Sequence, residues 1–300
     1  MNPVQSQKIT PFLWFNNQAE EAVHFYADIF PNSDITSLKK WPEDSPYQPG
    51  LVQHAKFRLA DFQFYAFDGG AQFEFNPSIS FFINCESEQE VDHFWDHLSE
   101  GGTPLMPLNE YPFSPKYGWI ADKFGVSWQV MLSEVKPAQK IIPSLLFVGD
   151  QAGKAQEAMA FYASLFPQSE VRMVFPYGPD QSPNKEGTVA YGDFMLEGQL
   201  FAAMDSALEH NYTFNEAISL YVDCEDQPEI DRLWEGFTKD GAESMCGWLQ
   251  DPYGVWWQII PRFLGEALQK NDSERSQNMM SALRQMKKLD VEKMKSAYYG

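Results

Sequence analysis

Positive charge is what this chain has least of. Its 22 Lys and Arg stand against 42 Asp and Glu, a formal charge of −20 over 300 residues. That balance excludes a nucleic-acid binder, because phosphates must be met by Lys and Arg. It excludes docking on anionic membrane surfaces for the same reason, and it favours solubility and draws cations. Cysteine is nearly missing too: three residues cannot make a disulfide framework. No apolar run reaches membrane-spanning length. Met1 to Gln7 are polar and lack the apolar stretch of a signal peptide. A strand–GxGxG–helix start for a nucleotide-like cofactor is also missing. These absences leave a cytoplasmic enzyme or small-molecule binding protein.

What the chain has in quantity is aromatic: 24 Phe, 13 Tyr and 9 Trp, enough for packed cores and aromatic-lined cavities. They gather in a stretch that occurs twice, Gly118-Trp119-Ile120-Ala121-Asp122-Lys123-Phe124-Gly125-Val126-Ser127-Trp128-Gln129 and Gly247-Trp248-Leu249-Gln250-Asp251-Pro252-Tyr253-Gly254-Val255-Trp256-Trp257-Gln258. Each predicts a β-hairpin with its turn at Asp-x-aromatic-Gly, where Gly125 and Gly254 take the positive φ that only glycine adopts without strain. Strand alternation then sends Trp128 and Gln129 to opposite faces, and likewise Trp257 and Gln258. The repeat extends through the chain. Pro11-Phe12-Leu13-Trp14-Phe15 matches Pro143-Ser144-Leu145-Leu146-Phe147. Ala22 to Pro31 matches Ala158 to Pro167, Phe57 matches Phe194, Asp68 matches Asp205, and Phe82 to Glu86 matches Tyr221 to Glu225. A repeat this long is a duplicated domain.

Within one copy the spacing predicts a strand over 9–15, then a helix over 18–30 with Ala22, Phe25, Tyr26 and Ile29 on one side. Strands follow near 34–41, 51–59, 62–68 and 78–84. A second helix over 87–99 carries Val91, Phe94, Trp95 and Leu98, with Ser87 as N-cap and Glu90 as its capping-box partner. Strands near 103–108, 117–122 and 127–132 complete the copy. The pattern is βαβββ twice per copy, hence an α+β fold with domains over 8–135 and 141–262. Residues 263–300 differ, with seven Lys and Arg against five Asp and Glu. Met279, Leu283 and Met286 share a helical face, and Asp290 caps a last helix carrying Val291 and Met294. This tail is expected to dock as a helical hairpin on the acidic body or on a second copy, the latter giving a homodimer.

Four βαβββ units carrying Ala-x-x-Phe-Tyr in the first helix of each copy, Phe-Asn-Pro-Ser-Ile-Ser over 75–80, Phe-Asn-Glu-Ala-Ile-Ser over 214–219 and Cys246-Gly247-Trp248 through Gln258 resemble the glyoxalase/bleomycin-resistance superfamily, also called vicinal oxygen chelate. The strings are closest to its PhnB-like branch, labelled 3-demethylubiquinone methyltransferase-like. The resemblance implies two tandem domains forming an intrachain pseudo-dimer, each with a curved sheet around a cleft and helices outside. It also implies His or Glu at four facing strand positions wherever a member uses a metal. Those positions here fall near Pro11, on the 62–68 strand, near Ser78 and at Gln129, and in the second copy near Pro143, on the 199–205 strand, near Ala217 and at Gln258. Proline and alanine cannot ligate through a side chain, and glutamine offers only a neutral oxygen. No tightly bound metal or other cofactor is expected.

The ligand-binding candidates are Gln129 and Gln258 with Trp119, Trp248 and Tyr191, together with Ser78, Ser80 and Ser219 from the two Ser-containing strings. His54 is the candidate catalytic base or weak metal ligand; it shares a strand face with Lys56 and Arg58, and its counterpart is Tyr191. His93 and His97 have metal-site spacing on a helix, but they flank an outward polar stripe and read as surface residues. Cys85 and Cys224 read as buried small residues, and Cys246 as a thiol without a base. Three functions stay open. One is a metal-independent protein binding a small aromatic or cationic molecule. Another is a metal-dependent lyase, isomerase or dioxygenase acting on a vicinal-oxygen substrate through His54. The last is an interaction role through the tail. The methyltransferase label is disfavoured because the glycine-rich start is missing.

Overall fold

The computed structural model describes residues 7–42, 49–133, 135, 137–270 and 273–300. They build four βαβββ units in succession. The first is β1 (Ile9–Phe15), α1 (Ala19–Ile29), β2 (Asp34–Lys40), β3 (Val52–Leu59) and β4 (Phe62–Asp68). The second is β5 (Ile79–Cys85), α2 (Glu88–Ser99), β6 (Thr103–Tyr111), β7 (Ser114–Ala121) and β8 (Ser127–Leu132). The third is β9 (Ile141–Phe147), α3 (Ala155–Leu165), β10 (Glu170–Pro176), β11 (Val189–Leu196) and β12 (Gln199–Asp205). The fourth is β13 (Ile218–Cys224), α4 (Gln227–Thr238), β14 (Ala242–Glu243), β15 (Trp248–Gln250) and β16 (Trp256–Pro261). The tail follows as α5 (Arg262–Gln269), α6 (Ser273–Leu283) and α7 (Val291–Tyr299).

The strands form two eight-stranded curved sheets, each holding two βαβββ units. One runs β10-β11-β12-β9-β5-β8-β7-β6 and the other β14-β15-β16-β13-β1-β4-β3-β2. The grouping crosses the duplication: the second unit shares a sheet with the third, and the first with the fourth. The linker residues 137–140 are the local cause. The Asn84 backbone N–H donates to the Lys140 carbonyl at 2.9 Å, and the Asn84 amide to the Gln139 carbonyl at 3.3 Å. Gln139 and Lys140 therefore lie along β5, and β9 follows antiparallel to it. The chain divides into two compact units, Pro11–Ile218 and Ser219–Gly300 with the start of the chain through Thr10. The β5–β12 sheet lies wholly within the first.

One face of the β5–β12 sheet is covered by α2 and α3. Trp128, Val130, Phe81 and Phe194 point there and are fully buried. At Gly118 a Cβ would meet the Trp95 ring of α2 at 2.3 Å, so glycine lets the helix lie close on β7. The hairpin turn is held by Asp122. Its Oδ1 accepts the Phe124 and Val126 backbone N–H groups at 2.9 and 3.0 Å, and its Oδ2 accepts Trp128 Nε1 at 2.9 Å and the Tyr26 hydroxyl at 2.6 Å. Burial pushes the Asp122 carboxyl up to about 6 against the pull of those four donors. Gly125 and Gly254 both have φ of 92°, as the turn requires. Asp251 repeats the arrangement with Tyr253, Val255 and Trp257.

Two more carboxylates fix the helix starts. Asp68 accepts from Ala19 and Val52, and Asp205 from Gly153, Ala155 and Val189. Each meets otherwise unpaired N–H groups of a first helical turn. Ser87 caps α2 through the Glu90 N–H at 3.2 Å, while the Glu90 carboxylate reaches back to the Glu86 N–H at 2.8 Å, one residue before the expected partner. In the compact unit that holds residues 219–300, Met279, Leu283, Leu289, Met294 and Tyr298 of the tail bury against Ile260 and Ala267. Met286 lies beyond the end of α6 but packs against the same cluster. Asp290 caps α7 by accepting the Lys293 N–H at 3.0 Å.

Candidate functional site

The face of the β5–β12 sheet opposite its helices carries a row of small polar side chains. Ser127, Ser80, Ser144, Ala202, Asp193 and Met173 are register partners in succession across β8, β5, β9, β12, β11 and β10. Register partners share a face, so these side chains lie side by side. Ser127 Oγ accepts Trp119 Nε1 at 2.7 Å. Ser80 Oγ accepts Gln129 Nε2 at 2.8 Å, and Gln129 Oε1 accepts the Tyr117 hydroxyl at 2.6 Å. Farther along, Ser144 Oγ and Asp193 Oδ1 are buried and have no hydrogen-bond partner. Beside this row lies an apolar cluster of Phe82, Tyr117, Ile142 and Ala202, with Trp119, Met131 and Tyr191 only partly buried around it.

The electrostatics follow from burial. Burial raises Asp193 above the ordinary carboxylate range while the Arg172 cation pulls it down. Tyr191 is pushed up to about 12, by burial first and then by Asp193. Tyr117 is raised by burial and then by Tyr111. All hydroxyls of the face therefore stay protonated at neutral pH and act as hydrogen-bonding groups. Gln129 retains one N–H and one lone pair beyond its two bonds. The arrangement suits recognition of a ligand that is mostly apolar with a few polar atoms.

Four of the sequence candidates, Ser80, Gln129, Trp119 and Tyr191, meet on this face. Ser78 immediately precedes β5 and lines a shallow surface depression with Asn76, Asn215 and Ala217, apart from the Gln129 network. Gln258, Ser219 and Trp248 belong to the other compact unit. There Gln258 Nε2 donates to Ser219 Oγ at 2.9 Å, and Trp248 is the register partner of Gln258. Cys246 stands where the first hairpin has Tyr117. Tyr221, the register partner of Gln258, and Ile260, two residues on along the same face, both pack into the tail cluster.

His54 lies on β3 beside Tyr65 and Phe12, with ring centroids 5.1 and 6.3 Å away. Burial, then the Lys39 and Lys56 cations, push its imidazole down to about 4. It sits in a different sheet from Gln129, so the structure does not join these two candidates. His93 is exposed and contacts the Ile29 carbonyl, and His97 the His93 carbonyl. The Cys85 thiol is pushed up to about 12 by burial, and Cys224 is raised in the same way.

Sequence reasoning missed Ser144 and Asp193. A signal existed in the duplication, where Ser144 stands opposite Phe12 and Asp193 opposite Lys56. In the other sheet Phe12, Tyr65 and Lys56 are register partners, so the equivalent row there is aromatic and cationic.

The fold raises the question of a metal. On the Gln129 face the strand register sets Ser80, Ser144 and Ala202 beside Gln129, in place of the Ser78 and Pro143 positions expected from the resemblance, because Pro143 pairs with Phe81 on the opposite face. These side chains offer neutral oxygens or none, a poor donor set for a divalent ion. Among the described residues, no three His, Cys, Asp or Glu side chains converge to hold a metal ion. The residues present do not fit such a group. No described helix is long and apolar enough to cross a membrane.

Comparison with known proteins places this geometry in context. A family model described as 3-demethylubiquinone-9 3-methyltransferase matches twice, over residues 7–131 and 139–260. The PhnB protein from Bacillus cereus is 44% identical over 42% of this chain and 100% of its own, with a TM-score of 0.42. Protein YjdN of Escherichia coli K12 is 21% identical over 145 residues, 44% of this chain and 99% of that protein. Glyoxalase I from Zea mays is 11% identical but covers 89% of this chain and 96% of its own, with a TM-score of 0.59, a likeness of fold.

Proposed function

The chain belongs to the PhnB-like 3-demethylubiquinone-9 3-methyltransferase family, within the glyoxalase superfamily, and from that premise we propose that it binds a small aromatic or cationic molecule on the helix-free face of the β5–β12 sheet without a resident metal. One observation carries the reading. On that face, partly exposed Trp119, Tyr191 and Met131 surround a buried polar floor of Ser80, Gln129 and Tyr117. Apolar walls with a few fixed polar groups are the ordinary composition of a small-molecule site. The counterpart around Gln258 has its neighbours Tyr221 and Ile260 packed under the chain's own C-terminal helices. The face is made for binding, and methyl transfer has no glycine-rich cofactor start in this sequence to work from. We place the protein in the cytoplasm, whose reducing poise suits its three free thiols.

The test is a melting-temperature screen of flat small molecules on chelator-treated protein, alongside elemental analysis of protein grown with Zn, Ni, Fe, Mn and Co. Binding to the native state raises the melting temperature. The reading expects shifts that survive chelation and shrink in Trp119→Ala. A near-stoichiometric ion that must be present before any compound binds would overturn it.

A further inference from the structure

We infer that Ser144 and Asp193 form a subsite for an organic cation, with a protonated amine or amidine on Asp193, a polar group on Ser144 and a flat apolar body over Ala202. This subsite rests on the binding face proposed above. Ser144 is 0% and Asp193 9% exposed, yet Ser144 Oγ and Asp193 Oδ1 have no partner. Leaving a buried polar atom unpaired costs about 1–3 kcal/mol, so two such atoms on one sheet face mark where an incoming polar group would be held. The two lie on β9 and β11 with only Ala202 of β12 between them. At the ordinary strand spacing that sets them about 10 Å apart. The alanine methyl is the smallest side chain that could stand there with a Cβ, so the row dips between its two polar ends.

That separation rules out a metal ion held jointly by the two groups. It matches instead a molecule with one polar end at each. An ionised carboxylate only accepts hydrogen bonds, so its free oxygen calls for an N–H donor, best a charged one. Tyr191 stands next to Asp193 with its ring 6.0 Å from Phe82 in a T-shaped pair, a wall that also favours a cation. The charged and titratable groups acting at this end are Arg172 and Tyr191. Arg172 is solvent-exposed, and β10 bulges between Val171 and Met173 beside it. The duplication supplies the contrast, since Phe12, Tyr65 and Lys56 occupy the same three places in the other sheet. The dipped row with a carboxylate is therefore particular to one sheet and is not a by-product of the repeat.

The experiment titrates three cation–neutral pairs by calorimetry: tyramine against 4-ethylphenol, tryptamine against 3-ethylindole, and benzamidine against benzamide. Native protein is compared with Asp193→Asn, Ser144→Ala and Lys56→Met, and Asp193→Ser stands in should the asparagine variant fold poorly. The subsite predicts that at least one cation binds native protein tenfold or more tightly than its neutral partner. Asp193→Asn should bring that pair within about twofold, Ser144→Ala should weaken tyramine more than benzamidine, and Lys56→Met should leave the preference intact. Neutral partners binding as well as cations would overturn the subsite and leave the binding face standing. A cation preference that survives Asp193→Asn would do the same. Failure of all six compounds to bind native protein counts against both.

Discussion

Gln129 shows how much hangs on one side chain. Its amide joins Ser80 on β5 to Tyr117 on β7, and it is 1% exposed. Gln129→Ala removes both bonds and leaves a buried phenol and a buried hydroxyl unpaired. A loss of about 2 kcal/mol is expected, read as a lower urea midpoint at unchanged slope; an unchanged midpoint would mean the network is not formed in solution. His54 makes a different prediction. Its folded pKa of about 4 lies below the ordinary value of 6.5, so the unfolded chain takes up that proton first. The stability His54 contributes is whole above about pH 6.5 and is lost as pH falls toward 4, up to about 3 kcal/mol. Urea midpoints measured from pH 7.5 to 4 should fall less steeply in His54→Phe than in the native chain; parallel curves would contradict the buried neutral imidazole. Strand alternation and the duplication single out Gln129 and Trp119 in the sequence, and the register then sets Ser80 and Tyr191 on the same face. Ser144 and Asp193 show in the sequence only as differences between the copies; that they are neighbours across β9, β12 and β11 is not readable there, because no local pattern states which strands pair.

At the scale of elements, the Asp-x-aromatic-Gly hairpin is the best-determined piece, and it was legible in full. Turn chemistry is local, so the glycine conformation and the outward–inward alternation could be read from the string itself. What the string did not reveal is that Asp122 also receives the Tyr26 hydroxyl from α1, 96 positions away. That bond ties the first unit's helix to the second unit's hairpin. Asp122→Ala should therefore cost about 3 kcal/mol or more, since four buried donors lose one acceptor. Asp122→Asn should cost less, because its remaining oxygen still accepts. Thermal unfolding of the two variants checks the order, and equal losses would show that the carboxylate holds the turn alone. The linker 137–140 makes the complementary point. Its length was plain in the sequence, yet only its hydrogen bonds to Asn84 show why β9 joins β5.

For the whole molecule, duplication has produced two sheets that no longer match. One exposes Trp119, Tyr191 and Met131 over a carboxylate-bearing row; in the other, the residues corresponding to that row are Phe12, Tyr65 and Lys56. The tail adds to the difference. It buries Met279, Leu283, Leu289 and Met294 in its own compact unit, at about 1.5–3 kcal/mol for each fully buried side chain as an upper bound. It is seated by backbone bonds from Cys246 and Gly247 to Met286 and Lys287, and by the Lys288–Asp231 and Lys287–Glu243 pairs at 2.8 and 3.3 Å. These apolar residues of the tail are thus packed within the chain. Removing residues 263–300 should bare Ile260 and Tyr221, lower the melting temperature and raise the binding of a hydrophobic dye; a truncated chain as stable as the native one would contradict this packing.

The most direct test of the binding face is crystallography of the chain soaked with a library of small aromatic and amine-bearing fragments. The account predicts that fragment density gathers between Trp119 and Tyr191, over Ser80, Ser144 and Ala202, with no ion required beside Gln129. Fragments that avoid this face while occupying the Gln258 side or the surroundings of His54 would contradict it.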